Sequence, residues 1–442
     1  MKYVTLFLLV FLTCSEAYAQ NSLLQAGPMV GYSGYREALI WVQTQKEADV
    51  KIGYFIEGEE EKFTENVRAT AENDHIVKLY PYEVDYGREY QYKLYINDEY
   101  VERPYPLTFK IQELWQWRMD PPPFSFAIGS CTYVNEPKDD RPNKPYGGKY
   151  EIFENIRSKN PDFMLWLGDN IYLREPDFLT ERGIRHRNRH TRSLPDLQPL
   201  LGSVHHYAIW DDHDYGPNDS DRSYVHKKES EKAFNDYWGN LNTNATGAGG
   251  ITSHFLWNDV EFFLMDDRYF RDSNRSKDKD KKYLGDEQLD WLIQSLTSSR
   301  APFKIICIGG QVISSAAVYE NMATYPAARQ KLLDRIAAEE IEGVLFMSGD
   351  RHHTEISKWD RADSYPLIDI TCSPLTSGTH RPRDEKNTNQ IKDKTFYDRN
   401  FGIVEVEGKR TDRVLTLTIY NTSGEEQWSY TIRASELKYP KK

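Results

Sequence analysis

The sequence predicts a small all-β domain followed by a larger α/β domain. Three observations carry that expectation. Short alternating strands without helical spacing run from about residue 25 to 110. A stiff run containing Pro121-Pro122-Pro123 follows. Beyond it, apolar strands alternate with helical stretches.

The elements follow in order. Lys2, an apolar run over 3–12 and the small-x-small pattern Ala17-Tyr18-Ala19 read as a secretory signal peptide over 1–19, with the mature chain starting at Gln20. Thr13 stands where a lipoprotein signal at Cys14 wants a smaller residue, which argues against a lipid anchor. The run is also short of a bilayer span, and no later run is longer, so no transmembrane anchor is expected. Residues 20–117 form the β domain, a sandwich of immunoglobulin or fibronectin kind, with strands over 38–42, 50–55, 76–80 and 90–96, a turn at Asn97-Asp98, and a strand at 100–101. Trp115 and Trp117 read as packing between domains.

Residues 118–442 form the second domain. Strands are expected over 124–128, 162–167, 208–210, 260–265, 304–308 and 344–347, with helices over 150–158, 285–296 and 326–340. Strands return over 401–406, 414–420 and 427–432. The stretch 272–282 reads as a solvated loop, and the basic stretch 182–192 as either an exposed loop or a lid that recruits anions.

Composition bounds the function. The chain has 442 residues, 39% hydrophobic and 28% charged, which is globular and long enough for a sizeable core. A net charge of -12 argues against nucleic acid or anionic membrane as partner. Of the cysteines left after signal cleavage, Cys307 lies in an apolar run and fits a buried thiol; Cys372 is undecided, and Cys131 stands at a strand end.

In α/β sheets, ligands gather at the carboxyl ends of strands. Here successive apolar strands end in polar clusters: Gly129-Ser130-Cys131, then Gly168-Asp169-Asn170-Ile171-Tyr172, then Asp211-Asp212-His213-Asp214 with Asn218 behind it, then Asp266-Asp267-Arg268, then Gly349-Asp350-Arg351-His352-His353. One such ending is an ordinary turn, but five in register crowd acids, a thiol and imidazoles on one rim, and like charges at that density need cations.

These motifs resemble the calcineurin-like metallophosphoesterase superfamily, in its alkaline phosphatase D (PhoD-like) branch. Gly168-Asp169-Asn170-Ile171-Tyr172 is similar to the superfamily's Gly-Asp-x-x-Asp block, with the tyrosine variant that in purple acid phosphatases binds ferric iron. Trp210-Asp211-Asp212-His213-Asp214 and Gly349-Asp350-Arg351-His352 resemble the third and fourth blocks, and Ser130-Cys131 stands where Asp-x-His would be. The resemblance covers roughly residue 124 to the end. It implies an α/β (α+β) metallophosphoesterase β-sandwich flanked by helices, and an exported, metal-dependent phosphoesterase.

The residues then divide into two metal sites. Cys131, Tyr172, His352 and Asp169 form a mixed sulfur, nitrogen and oxygen set that suits trivalent iron, with zinc as the competing assignment. Asp169 bridges to a second ion held by Asn218 and Asp350, an oxygen set suiting Ca²⁺, Mg²⁺ or Mn²⁺. The resemblance implies Fe³⁺ with Ca²⁺. It also implies hydrolysis by attack of metal-bound hydroxide, with His213, held by Asp212 or Asp214, protonating the leaving group; Asp212 alternatively ligates the second ion. Arg351 and Arg268 are the candidates for binding substrate phosphate, whereas Arg271 reads as an ion-pair partner and His205, His206 and His353 as structural. The substrate is then a small phosphate ester or a phospholipid. Two rivals stand beside this: phosphodiesterase or phospholipase D-like activity on the same scaffold, and a non-catalytic exported binding module. No Gly-x-Ser-x-Gly elbow and no Walker loop occur, which disfavours a serine hydrolase and an NTP-driven motor.

Overall fold

A computed structural model describes residues 23–382 and 384–440, so the expected signal peptide lies outside the described residues. Two large sheets, of nine and seven strands, pack face to face, and a six-stranded sheet lies beside them. The fold is a mixed, sheet-rich α/β arrangement. In the nine-stranded sheet, Phe124–Gly129, Phe163–Leu167 and His205–Ile209 run parallel. In the seven-stranded sheet, Val260–Leu264, Lys304–Cys307, Val344–Ser348 and Leu367–Thr371 do the same. Parallel pairing puts the carboxyl ends of each set on one edge, which is what positions the site.

These central strands are buried along their whole length, so they read as continuous apolar runs. Aromatic rings knit the two sheets. Phe126 meets Phe262 edge-on at 5.3 Å, Phe163 meets the same ring at 5.4 Å, and Tyr207 stacks on Phe255 at 3.7 Å. Helices cover the outside. Asp286–Ser298 opens with two acids against its N-terminal dipole and buries Leu289, Leu292, Ile293 and Leu296 at helical spacing. Pro326–Ala338 starts on proline, where a missing N–H costs nothing, and buries Leu332, Leu333 and Ile336.

The N-terminal strands do not stand apart from this core. Leu24–Ser33 pairs in parallel with His205–Ile209 and antiparallel with Ala38–Thr44, extending the nine-stranded sheet. Strand alternation splits their side chains between two cores. Met29, Tyr32, Leu39 and Trp41 face the main core, while Val30, Ile40 and Val42 face a second one with Val50, Ile52, Tyr92 and Leu94. Leu24–Ser33 was not expected from sequence: Gly27-Pro28 reads as a breaker, and burial on both faces erases the alternation. The proline run is pinned: the Arg413 guanidinium donates to the Pro121 and Pro122 carbonyls at 3.1 Å each and pairs with Asp259.

Two expectations change. The basic stretch is the helix Glu181–Arg192, not an exposed loop or a lid. Arg187 is fully buried and pairs with Asp177 at 2.8 Å and Glu136 at 2.7 Å, while Arg192 lies 4.0 Å from the Trp238 ring. Arg185, Arg187 and Arg192 are buried, whereas Arg182 and His186 are exposed. Trp115 is buried as expected, but Trp117 is 97% exposed and packs nothing. Among the described residues, no helix is long and apolar enough to cross a membrane.

Candidate metal centre

Cys131, Asp169, Asp350 and His352 follow strand ends, and all four adopt left-handed backbone, with φ of 59°, 52°, 62° and 53°. Non-glycine residues rarely do this, and such strain concentrates where side chains must be aimed. The turn before Asp169 needs Gly168: at φ 89°, an added Cβ would lie 2.7 Å from Asp211 Cβ.

The side chains converge. Candidate ligand atoms of Cys131, Asp169 and His352 lie within 4.8 Å of one another, and so do those of Asp169, Asp212 and His213, of Asp211, Asp212 and Asp350, and of Asp212, Asp219 and Glu320. Asp169 Oδ2 lies 3.5 Å from Cys131 Sγ and accepts from the Tyr172 hydroxyl at 3.0 Å. The same hydroxyl lies 3.1 Å from His352 Nε2. The His213 ring lies 4.2 Å from the Tyr172 ring, and its backbone N–H points at Asp169 Oδ1 from 3.4 Å. Ser373 Oγ donates to Cys131 Sγ at 3.1 Å and accepts from the His352 N–H at 3.0 Å.

Crowding and burial oppose charge here. Burial, then the neighbouring Cys131, Asp212 and Asp211, holds Asp169 well above the carboxylate range. Burial, with Glu320 and Asp212 adding and Arg351 opposing, pushes Asp350 up to about 7. Burial pushes the Cys131 thiol up to about 12 and His352 down to about 3. Burial also lowers His213, against the pull of the Asp212 carboxylate. Asp212 is held low, because His213 and Arg268 outweigh its burial, and Glu320 is lowered too, by Arg268 and Arg271 against its burial. A bound cation reverses this logic by favouring the anionic forms. The donors fit one: the set joins thiol, phenol, imidazole and carboxylates, and Asp212 Oδ1 and His213 Nδ1 are buried without a hydrogen-bond partner among the described residues.

Of the expected site residues, Cys131, Asp169, Tyr172, Asp212, His213, Asp350 and His352 gather on this rim. Asn218 is exposed, and its side chain makes no hydrogen bond among the described residues. Its neighbour Asp219, turned by φ of 62°, brings a carboxylate to Asp212 and Glu320. Arg268 is not placed to bind substrate. It is fully buried, donating to Asp211 Oδ1 at 2.6 Å and to both Glu320 oxygens at 2.9 and 2.6 Å, so its fork is consumed beneath the rim. Arg351 pairs with Glu385 at 2.5 Å, under the Tyr319 ring at 4.6 Å, and its buried Nε has no partner among the described residues. Arg271 pairs with Asp267 and Glu320 as expected. His205, His206 and His353 bond to Gly31 O, the Trp166 indole and Arg351 O. Glu320 and Ser373 carry no sequence signal; Asp219 could have been found as the acid beside Asn218.

The PhoD-like phosphatase family matches residues 126–414, and a domain family of unknown function, DUF7800, matches residues 21–113. Over 326 residues the chain is 23% identical to alkaline phosphatase D of Bacillus subtilis (strain 168), covering 61% of this chain and 54% of that protein. The chain thus spans about half the length of that curated relative. The fold is similar to a solved structure of PhoD, with a TM-score of 0.77 at 16% identity over 95% of this chain and 92% of that one. It is also similar to purple acid phosphatase PPD1 from yellow lupin (Lupinus luteus) seeds, with a TM-score of 0.65 at 13% identity over 91% of this chain and 73% of that one. At such identities these likenesses bear on fold alone.

Proposed function

The chain belongs to the PhoD-like phosphatase family, and from that premise we propose that it hydrolyses phosphate esters on the rim around Asp169. One observation carries this reading. Asp169 belongs both to the group with Cys131 and His352 and to the group with Asp212 and His213, each within 4.8 Å, which is the arrangement a bridging carboxylate needs. The thiol, phenol and imidazole donors favour ferric iron in the first group, with zinc the rival. The carboxylate-rich groups around Asp212 and Asp350 favour calcium, with manganese or magnesium the rivals. Bound there, the two cations would neutralise charge on the phosphoryl group and lower the pKa of water.

The chain's own residues do the rest. The unpaired Arg351 Nε offers a donor to a phosphate oxygen beside Asp350 and His352. His213 Nδ1, without a hydrogen-bond partner among the described residues, would hand a proton to a leaving oxygen; burial lowers the ring's pKa, and Asp212 opposes that shift. Tyr133, Tyr146 and Tyr172 pack edge-on and wall one side of the site against water.

The test is metal analysis of purified protein together with hydrolysis of p-nitrophenyl mono- and diesters before and after chelation. Bound metal and chelator-sensitive monoester turnover are expected. Full turnover in metal-depleted protein would defeat the reading, and a diester preference would replace phosphatase with phosphodiesterase. Export is the further part of this reading, supported by the pattern Ala17-Tyr18-Ala19, and a mature chain starting at Gln20 is its expected outcome.

A further inference from the structure

Tyr146 comes from the irregular segment between Phe124–Gly129 and Glu151–Ser158, outside every strand-end motif. Its hydroxyl lies 3.0 Å from His352 Nδ1, on the side of the imidazole away from Tyr172. The half-buried ring is held by its neighbours. It meets Tyr133 edge-on at 5.0 Å and Tyr172 at 6.3 Å, and the Arg141 guanidinium lies 4.0 Å from its face. Asp140 holds the backbone, accepting from the Tyr146 N–H at 3.1 Å and from the Tyr133 hydroxyl at 2.8 Å. Gly378 leaves the ring room, since an added Cβ there would lie 2.4 Å from its Cε2.

Resting on the reading of this rim as a metal centre, we propose that Tyr146 is a positioning residue that fixes the tautomer and tilt of His352. With the proton on Nδ1, the Tyr146 oxygen accepts from it, and the Nε2 lone pair faces Cys131, Asp169 and Tyr172. A ligating histidine commonly gives its second nitrogen to such a partner, which orients the ring and raises its basicity. Here a phenol fills the place usually taken by a carboxylate, so His352 is oriented without a further negative charge beside Cys131 and Asp169.

The test is Tyr146→Phe in the full chain, with Co²⁺ as the probe ion. Phenylalanine keeps the ring contacts with Tyr133, Tyr172 and Gly378, so the metal-free variant should unfold at the wild-type midpoint. Chelator competition should show Co²⁺ affinity reduced about 10- to 100-fold, and the visible absorption of the bound ion should shift. Wild-type affinity and an unchanged spectrum in the variant would overturn the assignment, as would a lowered midpoint that alone accounted for the loss. Wild-type protein that takes up no Co²⁺ would instead defeat the metal-centre reading, and this inference with it.

Discussion

Replacing Arg268 with methionine separates a structural role from a substrate-binding one. The guanidinium is fully buried and makes hydrogen bonds of 2.6–2.9 Å to Asp211 and Glu320. Both carboxylates are buried, and only Glu320 keeps another cation, Arg271, at 3.3 Å. Removing one partner of a buried ion pair costs about 3–5 kcal/mol, because the remaining charge is left uncompensated. Burial already holds Asp211 well above the carboxylate range against the pull of Arg268, so its protonation offsets part of the cost, and a loss of about 3 kcal/mol is expected, still a large part of the 5–15 kcal/mol typical of a folded domain. Methionine fills much of the volume, so little of this comes from a cavity. Denaturant unfolding followed by circular dichroism should show a lower midpoint with an unchanged slope. Added Ca²⁺ should restore part of the loss by supplying positive charge to Asp211 and Asp212. The folded fraction should keep the wild-type KM for a phosphate monoester. A wild-type midpoint with a KM raised tenfold or more would mean that Arg268 touches substrate after all, and the burial argument would be wrong.

Asp169→Asn should strip metal from both groups that share this residue and lower chelator-sensitive hydrolysis at least about 100-fold; elemental analysis and steady-state rates check this, and a fully loaded variant would contradict the shared-ligand arrangement. His205, buried with Nδ1 2.7 Å from the Gly31 carbonyl, is lowered by burial from its ordinary value to about 4. A histidine whose folded pKa is depressed contributes stability above about pH 6.5 that is lost as the pH falls towards 4, up to about 3 kcal/mol. His205→Gln should therefore flatten the acid limb of a stability-against-pH curve, and an unchanged limb would count against it. Trp117→Ala, at a 97% exposed site, should change unfolding free energy by no more than about 0.5 kcal/mol. Trp41→Ala should cost about 3–5 kcal/mol, since that indole is fully buried, lies 5.9 Å from the Tyr237 ring and donates to the Asp236 carbonyl. Denaturant titration of both separates them.

What could be read in the sequence was whatever has a local signature. Phe163–Leu167 and Val344–Ser348 announce themselves as apolar runs that stop at Gly-Asp, and Asp169, Asp350 and His352 are found because the chain turns sharply there. What depends on distant partners stayed hidden. In Glu181–Arg192 the cations mask the helix's inward face, and only the fold brings Glu136, Asp177 and Asp236 to them. Glu320 lies in an irregular segment, and nothing local distinguishes it from a solvated acid until the sheets bring it to Asp212. Asp219 is one position beyond the expected Asn218, and its left-handed turn accompanies a carboxylate that lies with Asp212 and Glu320. Strand register can be reasoned from alternation, whereas the aim of a loop residue cannot.

The rim also divides its acids between two kinds of counter-charge. Arg268 and Arg271 are permanent cations that reach Asp211, Asp267 and Glu320 from below. Asp169 and Asp350 lie among further acids, and both resist ionisation, Asp350 with a value of about 7. A carboxyl raised in this way favours the metal-free fold at low pH and loses that contribution as the pH climbs through about 7. An incoming cation must displace the remaining protons, so its apparent affinity should rise as the pH climbs through the Asp350 value of about 7. Calorimetric titration of metal-free protein with Ca²⁺, in buffers of different ionisation enthalpy, measures the protons released. More release at pH 6 than at pH 8 is expected. Equal release at both would mean that Asp350 does not change its protonation between these pH values, and that its crowding does not govern loading.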